Sequence, residues 1–244
     1  MSARRQLLLS SSPLFASASS SSGVSASNVG ISGATDCSMF AFCRPNSITA
    51  GQVICSMGSA SGSNAGVSIR IISETQFDIN PTVVGSVPGV VTTTILNTWN
   101  SVAMTKAAGS GSYLIYVNGV SINGSAPQTP NFTNAIFRLG ADQNGANIFN
   151  GHLAFAGIWN VLLTTAEILA MHRTLTVPAT ASQVLYRLSE GTGTAVTDYS
   201  GNANNGTLAN ITWTAGQVPN GVRPAVASRS AVTGRVTASG RAVL

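Results

Sequence analysis

The chain has seven acidic residues, and these are the side chains that could do acid–base chemistry: Asp36, Glu74, Asp78, Asp142, Glu167, Glu190 and Asp198. Hydrolysis of a glycosidic bond needs two carboxylates flanking the scissile bond, and no E-x-D-x-x-E run supplies them. Glu74 and Asp78 would share a strand face, but their turn-like surroundings favour ordinary surface acids. No Ser or Cys nucleophile motif accompanies His152 or His172. The sequence therefore predicts a protein that is not an enzyme.

A different kind of chemistry is stacking on the faces of sugar rings, which needs exposed aromatic side chains with hydrogen-bonding groups around them. Tyr199 is the best candidate, because it lies in the polar segment DYSGNANN. We predict that a glycan-binding site, if the chain has one, includes Tyr199, Asp198 and Asn202. The tryptophans occupy apolar strand-like runs, which favours the core for all three: Trp99, Trp159 and Trp213.

Residues 223–244 form a basic tail without any acidic residue, and its arginines recur every six positions: Arg223, Arg229, Arg235 and Arg241. The remainder of the chain holds eight basic and seven acidic residues, so it is nearly neutral. Such a tail either contacts an acidic partner or is simply solvated. It contains no aromatic residue for base stacking, so we do not expect direct contact with nucleic acid.

The three cysteines, Cys37, Cys43 and Cys55, match neither a metal motif nor a disulfide framework. On one strand, Cys37 and Cys43 would point the same way but lie too far apart to bond. We predict buried free thiols, which favour assembly in a reducing cytoplasm.

Short alternating apolar runs bounded by Gly, Pro or Asn predict many β-strands. The clearest are CSMFAFCRP, GQVICSMG, GVSIRIIS, WNSVAMTK and SYLIYVNG, and residues 80–98 predict a loop followed by a β-branched strand. Asn-Gly supplies the positive φ angles of type I′ turns. Six such pairs therefore predict many tight hairpins, beginning at Asn118, Asn123, Asn144, Asn150, Asn205 and Asn220.

One helix is predicted, around residues 165–173. Thr164 is its N-cap and Glu167 completes a capping box, while Leu163 and Ile168 fit a hydrophobic staple. One helix among about a dozen short strands is typical of an all-β sandwich.

Length and composition fit one large β-sandwich. Only 8% of the 244 residues are charged, against about 25% in average soluble proteins, and such a surface suits a protein packed against neighbours. No apolar run approaches the roughly 20 residues of a membrane span, so no membrane contact is expected. The predicted parts are 1–30, a Ser-rich arm or irregular first strand; 31–222, the sandwich; and 223–244, the basic tail.

The order of these elements resembles a laminin-G-like, concanavalin A-like jelly roll. The matching pieces are WNSVAMTK with YLIYVNG, FNGHLAFAGIWN with LTTAEI, and YRLSEGTGTAVTDYSGNANNGTL, and together they span about 35–215. The resemblance implies a two-sheet antiparallel sandwich with one short helix. Some relatives bind glycans through calcium, but the strand before the helix here has no acidic residue. We therefore expect no metal or other cofactor, with calcium kept as an alternative for which Asp142 and Asp198 remain the candidates, although Asx turns explain both.

Laminin-G-like chains with such terminal segments resemble bacteriophage virion proteins. The function this implies is a non-enzymatic capsid decoration (cement) protein, located in the virion, bound to capsid or other virion subunits through its terminal segments and oligomeric within the assembly. The alternative is a phage tail or head-fibre adhesin, or a secreted lectin-like module, that binds host-surface glycans.

Overall fold

Two antiparallel β-sheets form the body of the protein. The computed structural model describes residues 12–15, 23–59, 66–81, 87–91, 94–108, 112–124, 132 and 135–214. Within these residues there are sixteen strands and one helix, and each sheet contains eight strands. All pairings between the strands are antiparallel. The predicted all-β, two-sheet sandwich with a short helix is confirmed.

The first sheet, called sheet A, has the order β10-β9-β8-β3-β12-β1-β16, and β13 also pairs with β12. Its strands are β1 Ser12–Phe15, β3 Cys37–Pro45, β8 Asn100–Lys106, β9 Tyr113–Val117, β10 Val120–Gly124, β12 Gly151–Trp159, β13 Val184–Tyr186 and β16 Ile211–Thr214.

The second sheet, called sheet B, has the order β14-β15-β2-β11-β4-β5-β6-β7. Its strands are β2 Gly23–Ala26, β4 Val53–Gly58, β5 Gly66–Ser73, β6 Gln76–Pro81, β7 Val87–Val90, β11 Ile136–Leu139, β14 Ala195–Val196 and β15 Gly206–Ala209.

The main core lies between the sheets, because alternate residues of each strand point inward. In β3 these are Met39, Ala41 and the two cysteines Cys37 and Cys43, all fully buried. Cys55 on β4 is buried as well, and all three thiols are free, as predicted. Burial is the main cause that raises the pKa of Cys37 to about 12 and the pKa values of the other two thiols further, so the thiols stay protonated and inert.

A smaller apolar cluster covers the other face of sheet A. There Phe40 and Phe155 meet edge to face, with ring centroids 5.8 Å apart, and Phe42 stacks on Trp99. Helix α1, Thr165–Thr174, closes this cluster with Ile168 and Met171, while other buried members are Ala103, Tyr116, Ala154, Trp159, Leu163, Leu175 and Leu185. Strand β3 is thus buried on both faces, which explains its nearly uninterrupted apolar sequence.

The predicted helix start is confirmed in detail. Thr164 is the N-cap: its hydroxyl accepts a hydrogen bond from the Glu167 backbone N–H, and the Glu167 carboxylate accepts one from the Thr164 N–H. Leu163 and Ile168, the predicted staple, are both buried in the smaller cluster.

Asn-Gly pairs form fewer hairpins than predicted. Asn118-Gly119, which joins β9 to β10, has both φ angles positive, at 53° and 78°, as a type I′ turn requires. Among the other pairs in the described part of the chain, none has both φ angles positive, and Asn220 lies outside it. Asn123-Gly124 falls within a strand instead.

The structure narrows the sequence prediction in two segments, residues 1–30 and residues 80–98. Two strands, β1 and β2, come from 1–30, so the sheets take in strands on both sides of residue 31. Residues 80–98 do contain the predicted strand, β7, but it covers only Val87–Val90, and residues 94–99 are irregular.

Candidate functional site

The segment between β14 and β15 is organised around one buried carboxylate. Asp198 Oδ1 accepts hydrogen bonds from the backbone N–H groups of Leu185 and Ser200, both at 2.9 Å. Its Oδ2 accepts from Ser200 Oγ at 2.7 Å and from the Asn204 N–H at 2.9 Å. A carboxylate has about four acceptor sites, so Asp198 is saturated. The predicted Asx turn is confirmed, and these oxygens are not free for a sugar or a cation.

Asparagine side chains tie the same segment to the residues before β13. Asn202 Nδ2 donates to the carbonyl oxygens of Ser182 and Gln183, at 3.0 and 3.1 Å. Asn204 Nδ2 donates to Gln183 O at 2.9 Å. Asn202 can therefore offer a ligand only its amide oxygen. The hydrogen bonds fix the backbone of the whole segment.

Tyr199 is the exposed aromatic of this fixed segment. Its backbone N–H donates to Leu185 O at 2.8 Å, and its side chain is 43% exposed. The guanidinium carbon of Arg187 lies 4.4 Å from the ring centroid, within cation–π distance. The Arg187 guanidinium therefore covers one face of the Tyr199 ring, and a sugar would have to stack on the opposite face. Asp198, the predicted partner of Tyr199, is fully engaged in its own hydrogen bonds.

Asp142, the other calcium candidate, closes the loop after β11. Its Oδ1 accepts from the N–H groups of Asn144 and Ala146, both at 2.9 Å, and its Oδ2 accepts from Asn147 Nδ2 at 2.7 Å. The predicted Asx turn is confirmed here as well. No group of three or more His, Cys, Asp or Glu residues that could hold a metal ion occurs in the described ranges.

Asp78 is not the surface acid that the sequence predicted. It lies on β6, is buried, and forms a two-pronged ion pair with Arg70 on β5: Arg70 Nε donates to Oδ1 at 2.9 Å and Nη2 to Oδ2 at 2.6 Å. The prediction failed because the hairpin turn places Arg70 and Asp78 directly opposite each other. Glu74, at that turn, is exposed as predicted.

Sequence reasoning missed a serine–histidine pair on the outer side of sheet A. Ser101 Oγ lies 3.0 Å from His172 Nδ1. Burial, with the charge of Arg173 as a second cause, lowers the pKa of His172. Ser101 is 1% exposed, so its hydroxyl cannot meet a substrate and the pair serves packing beneath helix α1.

The tryptophans behave mainly as predicted. Trp159 is fully buried. Trp99 and Trp213 are half-buried and pack against the smaller cluster and the main core respectively. The Trp213 indole N–H donates to Gly193 O at 2.9 Å. The tail arginines, Arg223, Arg229, Arg235 and Arg241, lie outside the described residues, so their anchoring role stays a prediction. No described helix has the length and apolar character needed to cross a membrane.

Comparison with known families agrees with this architecture. Residues 18–169 match the family model described as the concanavalin A-like lectin/glucanases superfamily, of the laminin-G type. The chain therefore belongs to this family. No curated protein matches the chain by sequence.

Solved structures share the fold at low sequence identity. A proposed carbohydrate-binding protein from Bacteroides ovatus has a TM-score of 0.65 and 19% identity over 89% of this chain and 63% of its own. The heptameric SAP-like pentraxin of Limulus polyphemus has a TM-score of 0.58 and 12% identity, over 82% and 96%. The CBM40 module of a Ruminococcus gnavus IT-sialidase, bound to α2,6-sialyllactose, has 0.51 and 14%, over 66% and 96%. The chain thus spans less than two thirds of the Bacteroides protein's length, and these likenesses concern the fold alone.

Proposed function

We propose that this protein is a glycan-binding module without catalytic activity. The observation that carries the proposal is Tyr199, an exposed aromatic ring on a segment whose backbone is fixed by the Asp198 network. A preorganised ring loses little entropy when a sugar stacks on it. The neighbouring Arg187 supplies donors for sugar hydroxyls. Membership of a lectin-containing family supports the same function.

The state of the carboxylates supports a non-catalytic role. All seven acids lie in described residues, and six have structural roles. Asp78 forms an ion pair, Glu167 caps the helix, and four accept hydrogen bonds from backbone N–H groups: Asp36, Asp142, Glu190 and Asp198. Glu74 is the remaining acid, and Asp36 is compared with it here because it directly precedes the first residue of β3. The carbonyl oxygen of Glu74 accepts from the Ile95 N–H, in the loop that contacts the last residue of β3. Asp36 and Glu74 therefore lie at opposite ends of a strand about 25 Å long. Glycosidase pairs are about 5–9.5 Å apart.

A glycan array probed with the full chain, with and without EDTA, tests the proposal. We expect binding to at least one glycan class, unchanged by EDTA because the oxygens of Asp142 and Asp198 are occupied. Tyr199→Ala should weaken that binding at least about tenfold, or roughly 1.4 kcal/mol, whereas Tyr199→Phe should retain it. Leu162→Ala, which truncates a side chain of similar exposure at 44%, is the matched control.

Absence of binding to every glycan would overturn the proposed function. Retained binding by Tyr199→Ala would overturn the assignment of the site. Release of sugar from a β-glucan panel would contradict the non-catalytic role.

A further inference from the structure

The outer face of sheet B carries a continuous row of polar side chains. On β11, Phe137 and Leu139 are buried in the main core, so Arg138 between them points to the outer face. Strand register places Ser25 of β2 and Ser56 of β4 directly opposite Arg138. The row continues through Thr207 on one side and through Ser68 and Asn80 on the other.

Among the described residues, no carboxylate pairs with the Arg138 guanidinium. Its Nε is buried and lacks a hydrogen-bond partner, a state that is rare for a buried donor and calls for an explanation. The stem of the side chain runs along β2: a methyl group at position 23 would lie 3.6 Å from Arg138 Cγ.

Arg70, on the same face of sheet B, shows the kind of acceptor that Arg138 lacks, a carboxylate. Arg70 uses Nε and Nη2 to hold both oxygens of Asp78, the two-pronged geometry in which guanidinium and carboxylate match. All seven acidic side chains of the chain are described, and the Arg70–Asp78 pair is the single ion pair among the described residues. No acidic side chain of this protein therefore pairs with Arg138.

We propose that Arg138 binds the carboxylate of an acidic saccharide, such as a uronic or sialic acid, on the outer face of sheet B, through the terminal Nη groups of its half-buried side chain, since the buried Nε is out of reach of a ligand. Of the flanking residues, Ser25 is half-buried and Thr207 is exposed. Their hydroxyls can therefore bond to sugar hydroxyls next to the carboxylate. Ser56 Oγ donates to Ala141 O at 3.0 Å, which fixes the other side of the site. The proposal rests on glycan binding as the proposed function, and it adds a ligand class and a site distinct from Tyr199.

The test compares the full chain and its variants in calorimetric titrations with three matched probes. Two of the probes are pairs of an acidic and a neutral sugar: sialyllactose with lactose, and oligogalacturonate with its methyl ester. The third is poly-glutamate, an acidic polymer without sugar. We expect the unmodified chain to bind the acidic sugars at least about tenfold more tightly than their neutral counterparts. Arg138→Gln should abolish that preference, and Arg138→Lys should restore it only in part, because an ammonium cannot form the fork.

Arg173→Gln is the control for net charge, since Arg173 is an exposed cation on helix α1. It should leave the preference intact, and the thermal midpoint of every variant should match that of the unmodified chain. Binding of neutral glycans without any preference for acidic ones would overturn the Arg138 site and leave the proposed function standing. Absence of all sugar binding would overturn both.

Two further results would overturn the Arg138 proposal. One is an acid preference that survives Arg138→Gln, which would place the carboxylate elsewhere. The other is Arg138-dependent binding of poly-glutamate in the absence of sugar binding, which would indicate an acidic protein as the partner.

Discussion

Asp198 shows how a side chain that could recognise a ligand serves the fold instead. Its two oxygens accept four hydrogen bonds, three of them from backbone N–H groups. The Leu185 N–H in particular is buried and would otherwise lack a partner, which is costly. The carboxylate therefore stabilises the segment that exposes Tyr199. In the proposed glycan site, its role would be to hold the ring in place rather than to touch the sugar.

His172 makes stability depend on pH. Burial first, and the charge of Arg173 second, hold its folded-state pKa below the unfolded value of about 6.5. Since the unfolded chain takes up the proton more readily, this contribution to stability is complete above about pH 6.5 and is lost as the pH falls through the lower folded-state pKa. His152, whose pKa is lowered by burial and then by Arg44, acts with the same sign.

We therefore expect the unmodified chain to have a lower urea midpoint at pH 5 than at pH 7. The decrease should be smaller in His172→Asn, whose amide can still bond to the Ser101 hydroxyl. Denaturation curves at both pH values measure the difference. The double variant with His152→Asn should show a still smaller decline. Identical declines in all three proteins would contradict the prediction.

At the scale of elements, the β9–β10 turn and helix α1 are fitted to each other. Gly119 has φ +78°, and a Cβ there would lie 2.7 Å from Leu169 Cδ1 and 3.2 Å from His172 Cβ. Gly193 offers a matched comparison, because its φ is +75° and a Cβ there would meet nothing within 4 Å. The two positions share the same backbone strain and differ in the packing above them.

Gly193→Ala should lower the free energy of unfolding by about 1 kcal/mol, the cost of a left-handed alanine. Gly119→Ala should lower it by about 3 kcal/mol, because overpacking against the helix adds to the same strain. Urea denaturation followed by circular dichroism measures both. Equal losses of unfolding free energy would contradict this prediction, because they would mean that helix α1 accommodates the added methyl group without cost.

How far the sequence predicts this fold depends on how local each signal is. Helix α1 was predicted with its cap because all of its signals lie within residues 163–174. Strand β6 was missed because QFDINP carries turn-forming residues, and its strand character comes from pairing with β5. Asp78 was misjudged for the same reason. The unpaired state of Arg138 is still harder to predict from the sequence, because it depends on the residues that β2, β4 and β15 place around it.

At the scale of the whole molecule, charge is divided between a self-contained sandwich and the basic tail. The sandwich uses its few acids internally, in an ion pair, two turns and a helix cap. Among the described residues only Glu74 has neither an ion pair nor a hydrogen bond from a backbone N–H on its carboxylate, so the chain offers too few carboxylates to pair with the four tail arginines. The predicted role of the tail as an anchor therefore requires an acidic surface supplied by another molecule.

Removal of residues 223–244 tests that role. Every described strand and the helix end at or before Thr214, so we expect the 1–222 chain to unfold at the same temperature and to bind glycans as the full chain does.

If the tail anchors the protein in a virion, co-sedimentation with virions should be lost on truncation. Association of the full chain should weaken steeply as the salt concentration rises, because exposed charges are screened. Replacement of the four arginines by glutamine should reproduce the loss at unchanged chain length. Full co-sedimentation of the truncated chain would instead locate any particle contact on the sandwich, where the polar face of sheet B would then be the surface to mutate.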